Sequence, residues 1–207
     1  YELERTNVVT AAEIADLPPA VVTAFSVPLP RPMGKPVQEL VALPTYIKGN
    51  ILLYRRDVLE RHGFKTAPRT WDELKAMCRI ILPQERSLKY GLIFHPTNFL
   101  KDFLPILWGY NCEVVDDFDR LVLQKDKNRT ACLAALTDFK ALQGSITPSP
   151  KDLAQFESKD QAPLLQAFFR GEVLFMINWD SRLHDLREMI KQEVKKTPGQ
   201  IHDIDQI

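Results

Sequence analysis

The amino-acid sequence predicts an α/β domain in which a mixed or mostly parallel sheet is flanked by helices. From Pro44 onward, short apolar segments with strand character alternate with amphipathic segments of helical period. Several helical segments also begin at a capping residue or end at a glycine, as helices commonly do. Such alternation is typical of α/β architecture, and the 207 residues suit one ordinary domain or slightly more.

The first 43 residues differ from the rest because prolines recur among them, at positions 18, 19, 28, 30, 32 and 36. Proline removes a backbone donor and interrupts helices and inner strands. We therefore expect extended chain here, with one short helix near residues 11–15. The predicted organisation is this segment over 1–43, an α/β lobe over 44–195 and a linker over 196–207.

The predicted lobe opens with a strand and two helices. "NILLYR" (50–55) has the continuous apolar run of a strand that is covered on both faces. "RDVLERHG" predicts a short helix that ends at Gly63, since glycine readily adopts the left-handed cap conformation. A second helix begins at Thr70, which has the spacing of a capping box with Glu73, and it stops at Pro83. Its packed face is predicted to consist of Trp71, Leu74, Met77, Cys78 and Ile81.

The middle of the chain continues the alternation. "YGLIFH" (90–95) is a predicted strand, and "TNFLKDFLPILWGY" is a predicted helix that Thr97 or Asn98 opens and Pro105 bends. "EVVDD" and "RLVL" predict a short hairpin around residues 116–120. A strong amphipathic helix is predicted over 129–143, ending at Gly144. Its packed face is predicted to consist of Leu133, Leu136, Phe139 and Leu142.

The final predicted elements are a helix, a strand and another helix. "DQAPLLQAFFRG" is a helical segment that ends at Gly171, "EVLFMIN" has strand character, and the helix "WDSRLHDLREMIKQEVKK" follows it at once. The strand and helix therefore meet at Trp179 and Asp180.

Composition and motifs limit the possible functions. The formal net charge is zero, which gives no reason to expect a nucleic acid or an anionic membrane as partner. No apolar run is long enough for membrane insertion, and "YELERTNVV" lacks the apolar segment of a signal peptide, which leaves the compartment open. The sequence contains no zinc, nucleotide-binding or hydrolase motif, so we expect no metal, no cofactor and no catalytic residues.

The three cysteines, Cys78, Cys112 and Cys132, match no metal or redox spacing. Two of them lie within helical patterns, where a free cysteine behaves as a small apolar core residue. The expectation from the sequence is that all three are free thiols.

The order of segments resembles the family 1 extracellular solute-binding proteins, the sugar-binding receptors of ABC importers. The resemblance rests on "PTYIKGNILLYRRDVLERHGFKTAPRTWDEL", "YGLIF", "LWGYNCEVVDD", "ACLAALTDFKAL" and "LLQAFFRGEVLFMINWDSRL", which follow one another in the family's order over about residues 40–190. One departure is that Asn111 and Cys112 stand where the family has paired glycines. Another is that bulky residues precede Met176 in "EVLFM", where small ones are usual.

The resemblance implies a type 2 periplasmic-binding-protein-like fold with two lobes. Members of the family are about twice as long as this chain. The sequence therefore resembles mainly the second lobe, with residues 1–43 as a remnant of the first lobe, which would be mostly missing, and 196–207 as a truncated crossover linker.

The resemblance and the residue chemistry together nominate a ligand site. Trp179 and Asp180 lie at a strand-to-helix junction, where α/β folds place ligands; an indole can stack on a sugar ring and a carboxylate can accept from its hydroxyls. The alternative is a purely structural role, in which Trp179 packs between lobes and Asp180 only caps a helix. Tyr46 and Asn50 flank the predicted hinge strand at positions where the family approaches its ligand, with a surface turn at Gly49 as the alternative.

Three further candidates are weaker. His95 and Asn98 follow the strand "GLIF" and could project into the same cleft, but they could also be a turn residue and a helix cap. Trp108 could contact the ligand, although core packing is favoured. Trp71 is interpreted as structural, and Asp116 with Asp117 as a solvated turn.

The leading functional hypothesis is a solute receptor, for a carbohydrate, of an ABC importer. Its partners would be a small-molecule sugar and a membrane permease, and its location periplasmic or otherwise extracytoplasmic. The alternative is a ligand-sensing domain of a larger regulatory or signalling protein in the cytoplasm, which free thiols would suit. An enzyme is disfavoured because the sequence assembles no nucleophile, base and orienting group.

Overall fold

The computed structural model describes residues 10–30, 35–44, 46–95, 99–116, 120–158 and 161–196. The chain divides into two compact units, residues 1–48 and 49–207. Thr97, Asn98, Asp117 and the predicted linker from residue 197 onward lie outside the described residues.

The first unit contains two short helices and a hairpin. Helix α1 (Ala11–Ala15) is as the sequence predicts, and it is capped by Thr10, whose hydroxyl accepts from the Glu13 amide at 3.3 Å. The predicted extended chain is wrong at residues 19–24, which are helical, and it is confirmed where the described chain forms two strands. Pro19 begins α2 (Pro19–Ala24), and β1 (Ser26–Leu29) pairs antiparallel with β2 (Val37–Leu40). Proline is tolerated at a helix start and in a two-stranded sheet that consists only of edges, so the proline-rich sequence conceals these elements.

The second unit is built on a three-stranded mixed sheet. The strands are β3 (Asn50–Tyr54), β4 (Tyr90–Ile93) and β5 (Val173–Trp179). They lie in the order β3-β5-β4, with β3 antiparallel and β4 parallel to the central β5. The predicted mixed α/β sheet is therefore confirmed.

Helices cover both faces of this sheet. Their bounds are α3 (Arg56–Arg61), α4 (Trp71–Ile81), α5 (Phe99–Gly109), α6 (Asp126–Leu142), α7 (Pro150–Leu153), α8 (Ala162–Phe169) and α9 (Ser181–Lys196). One core cluster joins residues of α4, α5 and α6 to strand residues such as Phe175 and Ile177. A second cluster joins α8 and α9 to Leu53 and Met176. Burial on both faces explains why the strands read as continuous apolar runs.

The predicted cap at the start of α4 is confirmed in one of its two hydrogen bonds. The Thr70 hydroxyl accepts from the Glu73 amide at 3.2 Å. The Glu73 carboxylate, however, accepts from the amide of Arg69 at 2.6 Å rather than from that of Thr70. The predicted packed face of α4 is confirmed, since Leu74, Met77, Cys78 and Ile81 are buried and Trp71 packs against them.

The predicted packed face of α6 is confirmed at Phe139 and Leu142 and wrong at Leu133 and Leu136. Leu133 and Leu136 are 52% and 48% exposed, whereas the buried positions are Cys132, Ala135, Phe139 and Leu142. The physical reason is a disulfide between Cys132 and Cys112, which turns the small residues Cys132 and Ala135 toward the core. The expectation of three free thiols is therefore also wrong, and Cys78 alone is free and buried among the described cysteines.

Candidate functional site

The end of β5 and the beginning of β3 meet at one edge of the sheet. In the antiparallel register, Asn50 lies opposite Trp179. The parallel strand β4 runs toward the same edge, and its last residue, Ile93, pairs with Met176, three residues before Trp179. The sheet therefore brings Asn50, Trp179 and Asp180 together, although Asn50 and Trp179 are 129 positions apart along the chain.

Backbone hydrogen bonds fix the junction between β5 and α9. The Trp179 amide donates to the side-chain oxygen of the buried Asn178 at 2.8 Å, and the Asp180 amide donates to the carbonyl of Gly49 at 3.0 Å. The Asp180 carboxylate accepts from the Ser181 amide at 2.8 Å, at the start of α9. Trp179 is half-buried and Asp180 is exposed, so both side chains remain within reach of a ligand.

His95 lies at the same edge but inside the protein. The residue is 1% exposed, and its Nε2 donates to the carbonyl of Ser158 at 2.8 Å. This bond joins the end of β4 to the loop that precedes α8. A ligand contact by His95 stays a prediction, and Asn98 lies outside the described residues.

Tyr46 and Trp108 lie elsewhere in the chain. Tyr46 belongs to the first unit, is 70% exposed, and has the Lys48 ammonium 4.9 Å from its ring centroid. Trp108 lies in the last turn of α5 and is 59% exposed, so the favoured prediction that it packs in the core is wrong. Neither residue is part of the Asn50–Trp179 strand pairing.

A half-open cavity of about 350 Å³ adjoins this edge of the sheet. Its floor is formed by Asn50, Leu52 and Ile177 on the strands, and its walls by α4 and the end of α5. Residues 68–70 and Trp71 form the wall at the start of α4. The lining is mostly apolar, with the polar groups of Asn50 and residues 69–70 among them.

Trp71 is held rigidly in the wall of this cavity. Its indole N–H donates to the carbonyl of Pro105 at 3.3 Å. The ring also lies directly against Gly109, where an added Cβ would come within 2.3 Å of indole Cδ1. The glycine of "LWGY" is therefore required by the position of Trp71.

This cavity is not evident from the sequence, in which Trp71 has the pattern of a core residue only. The capping pattern correctly places Trp71 at the first position of α4. A helix start is the place where a side chain can both pack on the core and face solvent. The position of Trp71 at the start of a helix was therefore the one local indication of a partly exposed indole. The packing of α5 against Trp71 is a long-range contact, which a local sequence pattern does not reveal.

The edge offers an indole, an amide and a carboxylate. The indole can stack on an apolar ring face, and the amide and carboxylate can hydrogen-bond to hydroxyl groups.

Across the described ranges, no group of three His, Cys, Asp or Glu side chains is arranged to hold a metal ion. Within the same ranges, no helix has the length and apolar character needed to span a membrane.

Comparisons with known proteins give the chain a family. The family model for bacterial extracellular solute-binding proteins matches residues 3–202. A probable ABC transporter-binding protein of Deinococcus radiodurans is 27% identical over 149 residues, which cover 68% of this chain and 33% of that protein.

Solved structures agree with the fold. Maltose-bound MalE3 of T. maritima matches with a TM-score of 0.64 at 27% identity, covering 86% of this chain and 41% of that chain. The sugar-binding protein MalE of Xanthomonas citri has a TM-score of 0.64 at 18% identity, and the match covers 93% of this chain and 44% of that chain. A solute-binding protein of Thermotoga lettingae, bound with α-D-tagatose, has a TM-score of 0.60 at 16% identity, and the match covers 97% of this chain and 47% of that chain.

The last two likenesses concern the fold alone, and they confirm the α/β architecture of type 2 binding proteins. The chain spans about a third of the curated relative and less than half of each of these solved chains. Because the family model covers nearly the whole sequence, the chain belongs to the bacterial extracellular solute-binding proteins.

Proposed function

We propose that this chain is part of a carbohydrate receptor of an ABC importer and that its ligand binds at the edge formed by Asn50, Trp179 and Asp180. The observation that carries the proposal is the pairing of Asn50 with Trp179, which sets an amide residue directly opposite an indole residue, with the carboxylate of Asp180 on the next residue of the chain. These are the groups that a sugar requires: an apolar face for its C–H surface and hydrogen-bond partners for its hydroxyls. The relative that is 27% identical and maltose-bound supports the choice of a carbohydrate.

Binding is coupled to transport by closure of two lobes on the solute. A ligand that contacts both lobes favours the closed conformation, because only that conformation makes all its contacts. The closed form is then the one that a membrane permease recognises. The edge around Trp179 supplies one side of such a cleft, so we expect this chain alone to bind a sugar at millimolar strength at best.

The proposed location is outside the cytoplasm. The family is described as extracellular, and the Cys112–Cys132 disulfide is of the kind that persists in oxidising compartments. The cytoplasmic-sensor alternative rests in part on free thiols, and the disulfide removes that part of its support.

The direct test is removal of the Trp179 indole. Trp179→Ala should weaken maltose binding by about 1–3 kcal/mol, the scale of burying one large apolar side chain. The binding can be followed by ¹⁵N NMR titration of this chain with maltose up to tens of millimolar, a range suited to weak binding.

The matched control is Ile80→Ala, which truncates an exposed apolar side chain on α4. It should leave the titration unchanged. An equal maltose affinity of Trp179→Ala and the unmodified chain would reject the proposed site.

A further inference from the structure

We infer that the cavity beside β3 is a second sugar subsite with Trp71 as its stacking surface, so that the ligand is an oligosaccharide of at least two rings. This inference rests on the proposed function. It extends the site from the strand edge into a space that the Trp179 site alone leaves unused.

The cavity has the size and lining of a small-ligand site. Its volume of about 350 Å³ lies at the lower end of the range typical of small-molecule pockets. Leu52, Leu74 and Ile177 supply apolar surface, and Asn50 and Thr70 supply polar groups at separate points of the lining. Few fixed polar groups in an apolar lining are typical of sites that orient a ligand.

The Trp71 indole is prepared for stacking before any ligand arrives. One side of the ring lies against Gly109, and its N–H already donates to the Pro105 carbonyl. What the ring presents to the cavity is therefore apolar surface, which matches the C–H face of a sugar. Because the ring is already immobilised, a ligand that stacks on it incurs little loss of side-chain entropy.

The two subsites are adjacent through Asn50. This residue pairs with Trp179 across the strands and also lines the cavity. A ring in the cavity and a ring at Trp179 would thus lie on either side of one amide side chain. Linked sugar rings are the carbohydrate class that two adjacent subsites accommodate.

At the mouth of the cavity, Thr70 can complete the recognition of a hydroxyl group. Its Oγ1 accepts from the Glu73 amide, so the hydroxyl proton remains available for donation to a ligand oxygen. Arg69, also in the lining, is exposed, and its guanidinium carries donors only. A neutral ligand rich in oxygen acceptors fits these donors.

The experiment follows the indole N–H signals of Trp71 and Trp179 during a maltose titration, after assignment with single Trp→Phe variants. Both signals should move along one saturation curve. If the Trp179 signal moves and the Trp71 signal does not, the second subsite is rejected while the proposed function stands. If neither moves, the proposed function fails and the inference fails with it.

A filled cavity gives an independent test. Leu52→Phe adds volume on the cavity floor, where Leu52 is only partly buried, and it should weaken maltose binding by at least about fivefold, as expected for one lost apolar contact. Leu136→Phe makes the same enlargement at an exposed position of α6 and should change nothing. Unchanged maltose affinity in a folded Leu52→Phe chain would overturn the inference.

Discussion

Gly91 of β4 lies where the core leaves no room for a side chain. A Cβ at this position would come within 2.6 Å of the Cys78 Sγ and 2.9 Å of the Ile146 Cγ2. Both neighbours are buried in the main core cluster, so neither can move aside without disturbing other contacts. The glycine of "YGLIF" is therefore fixed by packing rather than by backbone conformation.

Gly91→Ala should lower the free energy of unfolding by about 1–3 kcal/mol, the usual cost of overpacking a core. Urea melts followed by circular dichroism would measure it. Gly49→Ala is the matched control, because a Cβ there meets nothing within 4 Å. Equal midpoints for the two variants would contradict the packing explanation.

Asn111 and Cys112 resolve the departure from the family's paired glycines. Asn111 has a φ of 58°, in the left-handed region that asparagine tolerates better than most residues. The Asn111 amide donates to the Trp108 carbonyl at 2.9 Å. The Cys112 amide donates to the Leu107 carbonyl at 3.0 Å. Asparagine thus takes over the role of the first glycine, and Cys112 joins the turn to α6 through its disulfide.

The disulfide predicts a definite pattern of thiol reactivity and stability. Alkylation under denaturing, non-reducing conditions should add one group, at Cys78, and three after reduction. Replacing Cys112 and Cys132 together by serine should lower the free energy of unfolding by about 3 kcal/mol, the chain-entropy scale for a loop of this length.

Mass spectrometry and urea melts check these two outcomes. Cys78→Ser is the comparison variant, since it removes a cysteine without opening the loop. Three additions without reductant would show that the disulfide does not form.

At the scale of elements, a buried lysine joins three parts of the second unit. The Lys75 ammonium of α4 contacts the carboxylates of Asp138 on α6, at 2.7 Å, and of Asp72, at 2.8 Å. Tyr110, just after α5, donates its hydroxyl to the same Asp138 carboxylate. Lys75 is 8% exposed, so its charge depends on these partners.

This cluster should make stability depend on pH. Burial raises the pKa of the Asp138 carboxyl, but the hydrogen bonds from Lys75 and Tyr110 lower it by more, so the pKa lies below its ordinary value. A depressed carboxyl pKa stabilises the fold above the unfolded-state pKa of about 4, and the stabilisation is lost as pH falls through the folded-state pKa.

Asp138→Asn should therefore cost about 1–3 kcal/mol near neutral pH, and its difference from the unmodified chain should shrink below about pH 4. Urea melts from pH 7 to pH 3 measure this difference. Glu188→Gln is the control, because its partner Lys191 is on the same helix and exposed, and it should change little at any pH. A difference for Asp138→Asn that is constant with pH would contradict the charge-based explanation.

The sequence predicts single elements better than their contacts. Thr70, Gly63 and the apolar run of β5 mark element ends and strands, because capping and burial act over a few residues. The first half of the packed face of α6 could not be predicted in this way, since Cys132 faces the core where it forms the disulfide to Cys112. Local patterns carry no information on which cysteines meet.

The candidate site shows the same difference between single residues, which the sequence can nominate, and their contacts, which it cannot. Trp179 and Asp180 could be nominated from their strand-to-helix junction, and Asn50 from the start of a strand. Their adjacency follows from the register of β3 against β5. The Trp71 cavity also depends on how closely α5 approaches α4 at Gly109, and neither the register nor that approach can be predicted from spacing along the chain.

At the scale of the whole molecule, family and fold follow from the order of segments over most of the chain. The match to extracellular solute-binding proteins over residues 3–202 confirms the resemblance. The domain bounds 1–43, 44–195 and 196–207 stay a prediction. The binding site itself rests on the sugar titrations proposed above.

The strand order has a consequence for how the protein acquires its structure during synthesis. Strand β5 lies in the middle of the sheet, yet it is the last of the three strands to leave the ribosome. Until residue 173 emerges, β3 and β4 have no common partner, and such non-local pairing slows folding. The second unit therefore cannot complete its sheet until most of it has been translated, because the central strand is the last to emerge.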